Sequence, residues 1–289
     1  MKRFLSVFFI LFFVQAALYS QNPTSKTSKG PVNGTIIAIG GHASDEIFLP
    51  LVKKEAERTG VKLVVIPTAR GDEFFEDDST FIKLKKRFAA YGFESVEIVH
   101  TRSQETANKK EFVIPLQEAN AVWIMGGRQW RLADAYLNTL THMELIALLQ
   151  RGGVIAGTSA GATIMGSYMV RGDTGGNTIM MGDHEESFGF LKNTAIDQHL
   201  LARNRHFDMF EVLREKPGLL GIGLDENTAI IVKNNQIEVA GESFVAIYDG
   251  TRWSEERDTL YTLSSNKEEF YFIKPGDRYD LRNRKVILK

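Results

Sequence analysis

Cysteine is absent from all 289 residues of the chain. That absence excludes disulfide bonds, lipid attachment to a cysteine and any reaction that uses a thiolate nucleophile. Positive charge is not in excess either, because 35 Lys and Arg residues stand against 36 Asp and Glu residues. Nonspecific nucleic-acid binding requires a basic face, so no nucleic-acid partner is expected.

A long apolar run is also lacking. Residues 4–14 are apolar apart from Ser6, but a membrane-spanning helix needs roughly 20 such residues. Lys2 and Arg3 precede this run and small residues follow it, which is the order found in a secretory signal peptide. Residues 1–20 are therefore expected to be a signal peptide, and the mature chain is expected to be secreted or periplasmic with no stable membrane anchor. Its removal leaves 33 basic and 36 acidic residues, a formal net charge of −3.

The remaining composition is that of a folded domain. Hydrophobic residues make up 43% of the chain and charged residues 25%, which excludes global disorder. The polar residues 21–33 are expected to form a flexible leader, and residues 34–289 a single domain.

From Gly34 onward, apolar runs alternate with helical patterns. The predicted strands are Thr35–Ile39, Lys62–Ile66, Ser95–His100, Ala121–Met125, Gly153–Ala156 and Thr194–Gln198. The predicted helices are Asp45–Arg58, Thr80–Tyr91, Trp130–Leu137 and Met143–Gln150. This alternation predicts an α/β fold with a doubly wound, mostly parallel sheet. The ligand site of such a sheet lies beyond the carboxyl ends of its strands.

After Gly218 the pattern changes to short strands separated by turns. These predicted strands are Leu219–Leu224, Ala229–Lys233, Ile237–Ala240 and Phe244–Asp249. A closing hairpin is expected within residues 250–289. The segment is interpreted as a β-rich C-terminal edge of the same domain.

The sequence Gly157-Thr158-Ser159-Ala160-Gly161 matches the Gly-x-Ser-x-Gly pattern of a nucleophile elbow. Its glycines allow a strand to turn sharply into a helix while the serine hydroxyl stays exposed. Strand residues precede the pattern and a helical pattern follows it. Ser159 is therefore the predicted nucleophile.

A serine nucleophile needs a base, and histidine is the usual one. His199 follows the predicted strand Thr194–Gln198, so it lies at a strand end, as Ser159 does. His184 lies among acidic residues and is interpreted as part of a solvated turn. Arg203 and Arg205, just beyond His199, allow two interpretations: a solvated helix face, or a pair of guanidinium groups for a substrate carboxylate.

Together these segments resemble the serine peptidase family of cyanophycinase and aspartyl dipeptidase. The matching stretches are Ile39-Gly40-Gly41, Ile66-Pro67-Thr68-Ala69, Met125-Gly126-Gly127 with Gln129, Gly157 to Ala162, Asp197-Gln198-His199, Arg203 with Arg205, and Gly223-Leu224-Asp225-Glu226-Asn227-Thr228-Ala229. The Asp-Gln-His sequence followed by spaced arginines is more similar to the cyanophycinase branch.

The resemblance implies a fold related to class I glutamine amidotransferases (flavodoxin-like), with serine in place of cysteine. It implies a secreted exopeptidase in which Ser159 attacks and His199 transfers the proton. The amides of Gly127 and Ala160 would form the oxyanion hole. The residues implied to line the substrate pocket are Gln129, Asp197, Gln198, Arg203 and Arg205. The substrate would be cyanophycin, a polyaspartate with arginine on each β-carboxyl, and the products β-Asp-Arg dipeptides.

Two residues depart from the family pattern. Arg128 stands where a small or acidic residue is frequent, and Asp208 stands where a third arginine is common. Both put the substrate in question. The carboxylate partner of His199 is also open: Asp173 is expected, with Glu185 and Glu186 as alternatives, because geometry and not spacing defines a triad.

Two other functions are compatible with the same residues. A dipeptidase or isopeptidase on small acidic peptides would share the same catalytic residues. A peptide-binding protein that has lost activity is the alternative outside enzymes. No cofactor is expected, and no metal site is expected because no ligand spacing is recognisable; relatives imply a possible homodimer.

Overall fold

The structure is a computed structural model that describes residues 27–56, 60–176, 178–250, 255–256, 259–260 and 269–287. The predicted signal peptide, residues 1–20, lies outside the described residues. Among the helices described, none is both long and apolar enough to cross a membrane.

A nine-stranded sheet forms the centre of the fold. Its parallel part consists of β1 (Thr35–Ile39), β2 (Lys62–Ile66), β3 (Ser95–Ile98), β4 (Ala121–Ile124) and β5 (Val154–Thr158), in the order β3-β2-β4-β5-β1. The antiparallel strands β8 (Thr228–Lys233), β9 (Gln236–Gly241), β14 (Arg278–Asp280) and β15 (Lys285–Ile287) extend it beyond β1. Strands β11 (Glu255–Glu256) and β12 (Thr259–Leu260), which lie between β9 and β14 in the sequence, pair with each other.

Helices connect the parallel strands. They are α1 (Asp45–Glu55), α2 (Thr80–Ala89), α3 (Gln104–Ala107), α4 (Lys110–Glu118), α5 (Gln129–Tyr136), α6 (Leu140–Gln150), α7 (Ala160–Thr163) and α8 (Met209–Glu215), with a 3-10 turn at Asp72–Phe75. Helices α3 and α4 were not predicted, and Pro115 inside α4 interrupts the usual helical signal.

Side chains alternate between the two faces of the parallel strands, and both faces are covered. Ile36 and Ala38 of β1 belong to one apolar cluster, whereas Ile37 and Ile39 belong to another that includes Phe48 of α1. All these side chains are fully buried. A strand that is buried on both faces is mostly apolar, and this composition made the strands recognisable in the sequence. The parallel strands and the helices on both faces of the sheet confirm the predicted α/β class.

The sequence did not predict a second sheet. Strands β6 (Thr194–Gln198), β7 (Leu220–Leu224), β10 (Val245–Tyr248) and β13 (Tyr271–Ile273) form a separate sheet in the order β13-β10-β7-β6. Ile196 and Ile222 of this sheet pack into the same cluster as Ile36. The C-terminal strands are thus divided between two sheets, and do not form one β-rich edge.

The end of the expected leader is packed against the domain. Lys29 and Lys192 form an antiparallel bridge, with the Lys192 amide donating to the Lys29 carbonyl at 2.8 Å. The fully buried Ser28 donates its hydroxyl to the carbonyl of Asn193 at 3.0 Å. This differs from the flexible leader expected up to residue 33.

Candidate active site

Ser159 lies at the carboxyl end of β5, between that strand and helix α7. Its backbone has φ 55° and ψ −114°, a region that non-glycine residues rarely occupy. The amide of Ser159 donates to the carbonyl of Ile39 at 2.8 Å, which anchors the turn to β1. A serine held in a strained strand-to-helix turn is the conformation expected of a nucleophile elbow.

The imidazole of His199 faces the Ser159 hydroxyl, with 3.0 Å between Oγ and Nε2. The ring is 7% exposed, and the His199 amide donates to the carbonyl of Gly40 at 2.8 Å. Gly41 adopts φ +130°, and a Cβ there would lie 2.2 Å from Cε1 of His199. Glycine at this position is therefore required for the ring to approach the end of β1.

The carboxylate partner of His199 is Glu226. Its Oε1 lies 2.6 Å from Nδ1 of the ring. The expectation for Asp173 is wrong, because its Oδ2 accepts from the Gly176 amide at 2.6 Å within its own loop. The alternative Glu185 is bound to Lys216, at 3.0 Å.

The position of Glu226 follows from the pairing of β6 with β7. These strands run parallel with Gln198 opposite Leu224, so the residues that follow them meet at one sheet edge. Asp225 accepts hydrogen bonds from the amides of Leu201 and Ala202 and fixes the turn after His199. The sequence Asp225-Glu226 directly after a strand was the signal that could have identified this carboxylate.

Burial lowers the pKa of His199 below its ordinary value, and nearby Arg203 lowers it further. The hydrogen bond that His199 donates to Glu226 raises the pKa but does not cancel the effect of burial. The neutral imidazole, which can accept a proton from Ser159, is therefore the form present at neutral pH.

The resemblance to the peptidase family implies Gly127 and Ala160 as the source of the oxyanion-hole amides. Gly127 lines the cavity in front of Ser159 at φ +148°, and a Cβ there would lie 2.0 Å from the Ala69 carbonyl oxygen. Ala160 is the first residue of α7, so its amide has no partner within the helix.

The cavity in front of Ser159 has a volume of about 700 Å³. It lies at the carboxyl ends of the parallel strands, as expected for an α/β sheet. Its described lining residues are His42, Ala43, Arg70, Arg87, Trp123, Met125, Gly126, Gly127, Arg128, Thr158, Ser159, Thr178, His199, Arg203 and Arg205.

Three residues expected in the pocket instead bind other parts of the protein. The buried Gln129 donates its amide to the carbonyls of Val170 and Arg171, at 2.8 and 2.7 Å. Asp197 is fully buried and forms a two-point ion pair with Arg171. Gln198 accepts a hydrogen bond from Arg205 through Oε1, at 3.2 Å. None of the three is among the described lining residues of the cavity.

The predicted arginines do line the cavity, with different environments. Arg203 is exposed, whereas Arg205 is buried and donates to the Gln198 carbonyl at 3.1 Å. Burial lowers the pKa of Arg205 to about 10, so it is charged at neutral pH. Arg128 also lines the cavity, while Asp208 lies 2.5 Å from the guanidinium of Arg171.

One group of side chains in the described part of the chain offers three metal-ligating atoms close together. They belong to His42, His199 and Glu226 and lie within 4.8 Å of one another. Nε2 of His42 is 3.4 Å from the Glu226 oxygen that also faces His199. A cation there would compete with the contact between His199 and Glu226.

Comparison with known proteins identifies the family. The model of peptidase family S51 matches residues 36–240. A cyanophycinase from Nostoc sp. is 31% identical over 209 residues, covering 69% of this chain and 70% of the relative. A cyanophycinase from Geminocystis herdmanii is 27% identical over 267 residues, covering 88% and 95%.

Solved structures agree on the fold. A peptidase from an acI-B1 Actinobacterium superposes with a TM-score of 0.60 at 22% identity, covering 85% of this chain and 98% of that one. A putative peptidase E from Listeria monocytogenes gives 0.51 at 17% identity, covering 73% and 99%. With the family model spanning both Ser159 and Glu226, the chain belongs to peptidase family S51 and is a serine peptidase.

Proposed function

We propose that the chain hydrolyses aspartyl peptides through an acyl-enzyme on Ser159, with His199 as base and Glu226 as its carboxylate partner. The observation that carries the proposal is the continuous contact from Ser159 through His199 to Glu226, at 3.0 and 2.6 Å. Both distances allow hydrogen bonds. The strained backbone of Ser159 supports it further, because a binding protein has no need of a strained serine.

In the proposed reaction, His199 Nε2 takes the proton from Ser159 as Oγ attacks the scissile carbonyl carbon. Glu226 accepts the Nδ1–H bond, fixes the tautomer and stabilises the imidazolium that forms. The amides of Gly127 and Ala160 stabilise the oxyanion. His199 then protonates the leaving amine. A water molecule, deprotonated by His199, attacks the acyl-enzyme in the same way, and its hydrolysis releases the acid and frees Ser159.

The substrate proposal has two candidates. The cyanophycinase relatives favour exopeptidase cleavage of cyanophycin to β-Asp-Arg dipeptides. Small acidic peptides are favoured by a feature of this chain, the arginines around Ser159. We also propose that the α/β core is related to class I glutamine amidotransferases, with serine at their cysteine position.

Incubation of the purified protein with cyanophycin and with α- and β-aspartyl dipeptides, followed by mass spectrometry, tests the function. Release of β-Asp-Arg would select cyanophycin, and cleavage of the dipeptides alone would select small acidic peptides. Cleavage of none of these substrates would contradict the proposed activity and favour a peptide-binding protein.

The lowered pKa of His199 predicts the pH dependence of kcat/KM. Because the neutral ring is the base, activity should be constant above neutrality and fall as the pH drops through the His199 pKa, at a midpoint below about 6.5. Glu226→Gln should move this midpoint to lower pH, since it removes the hydrogen bond that raises the pKa. A midpoint above 6.5, or activity that stays constant down to pH 4, would rule out His199 in this environment as the base.

A further inference from the structure

The cavity in front of Ser159 is strongly positive. Five arginines line it, and no carboxylate is among its described lining residues. Arg87 is neutralised by a two-point contact with Asp45, at 2.6 Å for each pair of atoms. Arg205 has Asp197 at 3.7 Å behind it.

The other three arginines, Arg70, Arg128 and Arg203, have no ion-pair partner among the residues that the structure describes. Arg70 lies over the ring of Phe74, at 4.7 Å from its centroid, which fixes the side chain without cancelling its charge. Arg203 is close enough to His199 to affect the titration of the ring. The field at the reacting atoms therefore favours a ligand with several negative charges.

The carboxylate that could receive a cationic substrate group is already occupied. Asp197 accepts from Nε and Nη2 of Arg171, both at 3.0 Å. Arg171 is 3% exposed and Asp197 is 1% exposed, so the pair is sealed from solvent. The same guanidinium contacts Asp208 at 2.5 Å.

Arg171 is also fixed by the surrounding loop. Its Nη1 donates to the carbonyl of Thr178, a lining residue, at 3.2 Å. Its own carbonyl accepts from the buried Gln129 at 2.7 Å. A substrate guanidinium could reach Asp197 only by displacing a side chain that is held at both ends.

We propose that the built-in guanidinium of Arg171 takes the place of a substrate arginine, and that the enzyme cleaves peptides whose aspartate or glutamate carboxylates are free. The proposal rests on the serine peptidase function above and specifies its substrate. Arg128 and Arg203 would bind the substrate carboxylates beside the scissile bond by charge-assisted hydrogen bonds. An aspartate capped by arginine would exchange its side-chain carboxylate for the carboxylate of the arginine, in a different position, and would bring a guanidinium toward the arginines of the cavity.

Three matched peptides with an α-linked aspartate backbone test the charge preference: oligo-aspartate, the same peptide with arginine on each β-carboxyl, and the same peptide with the neutral isostere citrulline on each β-carboxyl. We expect kcat/KM to be at least about 10-fold higher for free oligo-aspartate than for the arginylated peptide, with citrulline between them. The difference should shrink in high salt, because exposed charges are screened. Preference for the arginylated peptide would overturn the proposal.

Substitution of the arginines tests which of them produce the preference for free carboxylates. Arg128→Gln and Arg203→Gln should each lower kcat/KM for oligo-aspartate about 10-fold. Labelling of Ser159 by a small neutral fluorophosphonate should stay within about 2-fold at about pH 8, where His199 is neutral in every protein. Arg171→Gln, if folded, should raise the relative rate on the arginylated peptide. The proposal would be overturned if the Arg128 and Arg203 variants both cleaved oligo-aspartate as the parent does.

The same labelling distinguishes a failure of the serine peptidase function from a failure of the substrate assignment. Loss of Ser159 labelling in the parent protein would remove the serine peptidase function itself. Normal labelling with no cleavage of oligo-aspartate would remove only the substrate assignment.

Discussion

Ser159→Ala is expected to lower peptide hydrolysis by about 10⁴-fold or more, with the fold unchanged. The reason is that Oγ is the atom that attacks, and no other hydroxyl is in contact with His199 Nε2 in the described part of the chain. Alanine is no more strained than serine at φ 55°, so the melting temperature should change little. Steady-state kinetics on the cleaved peptide, together with circular dichroism, measures both quantities.

Ser187→Ala is the matched control for this variant. Ser187 is buried, and its hydroxyl has no hydrogen-bond partner among the described residues. Its loss should leave the rate within about 2-fold of the parent, since a surplus buried hydroxyl contributes nothing to the reaction. Equal losses in the two variants would show that the effect of Ser159→Ala is not specific to the nucleophile.

Glu226→Gln is expected to lower kcat by about 10³- to 10⁴-fold. A glutamine can present its N–H to Nδ1 of His199, which would place the ring proton on Nε2 and prevent that atom from accepting the Ser159 proton. The amide also lacks the charge that stabilises the imidazolium. Measurement of kcat and KM separately checks this, because the loss should fall on kcat.

Asp173→Asn is the control that separates Glu226 from the residue expected from the sequence. The asparagine Oδ1 can still accept from the Gly176 amide, so the loop should keep its conformation. Activity within a few-fold of the parent is expected. A large loss in Asp173→Asn with a nearly unchanged Glu226→Gln would reverse the assignment.

The parallel strands and the serine turn could be predicted because their sequence signals are local. The inner strands β1, β4 and β5 are buried along almost their whole length and are therefore mostly apolar. The glycines around Ser159 are needed for a sharp turn, so the pentapeptide and its flanking pattern together predict the geometry. Both signals depend on neighbouring residues and not on long-range pairing.

The partner of His199 could not be predicted by counting residues from Ser159. Its position depends on the register of β6 and β7, which lie in a sheet that the sequence pattern did not separate from the first. Once Gln198 is known to lie opposite Leu224, the acidic residues that follow Leu224 must be close to His199. The ends of paired strands therefore indicate the carboxylate partner of His199 better than the number of residues after Ser159 does.

The pocket residues Gln129, Asp197 and Gln198 illustrate a different limit. A polar side chain at a strand end has the same sequence signal whether it faces a ligand or another part of the protein. Asp197 is bound by Arg171, which lies 26 residues earlier and has no distinguishing pattern around it. Buried polar groups need partners, but the sequence does not say which ones.

Covalent labelling with a small neutral fluorophosphonate, followed by intact-mass measurement and peptide mapping, tests whether Ser159 is the nucleophile. We expect one label on Ser159 in the parent protein, much slower labelling in Glu226→Gln and none in Ser159→Ala. A label on another residue, or equal labelling of the parent and Ser159→Ala, would contradict the assignment of Ser159 as the nucleophile.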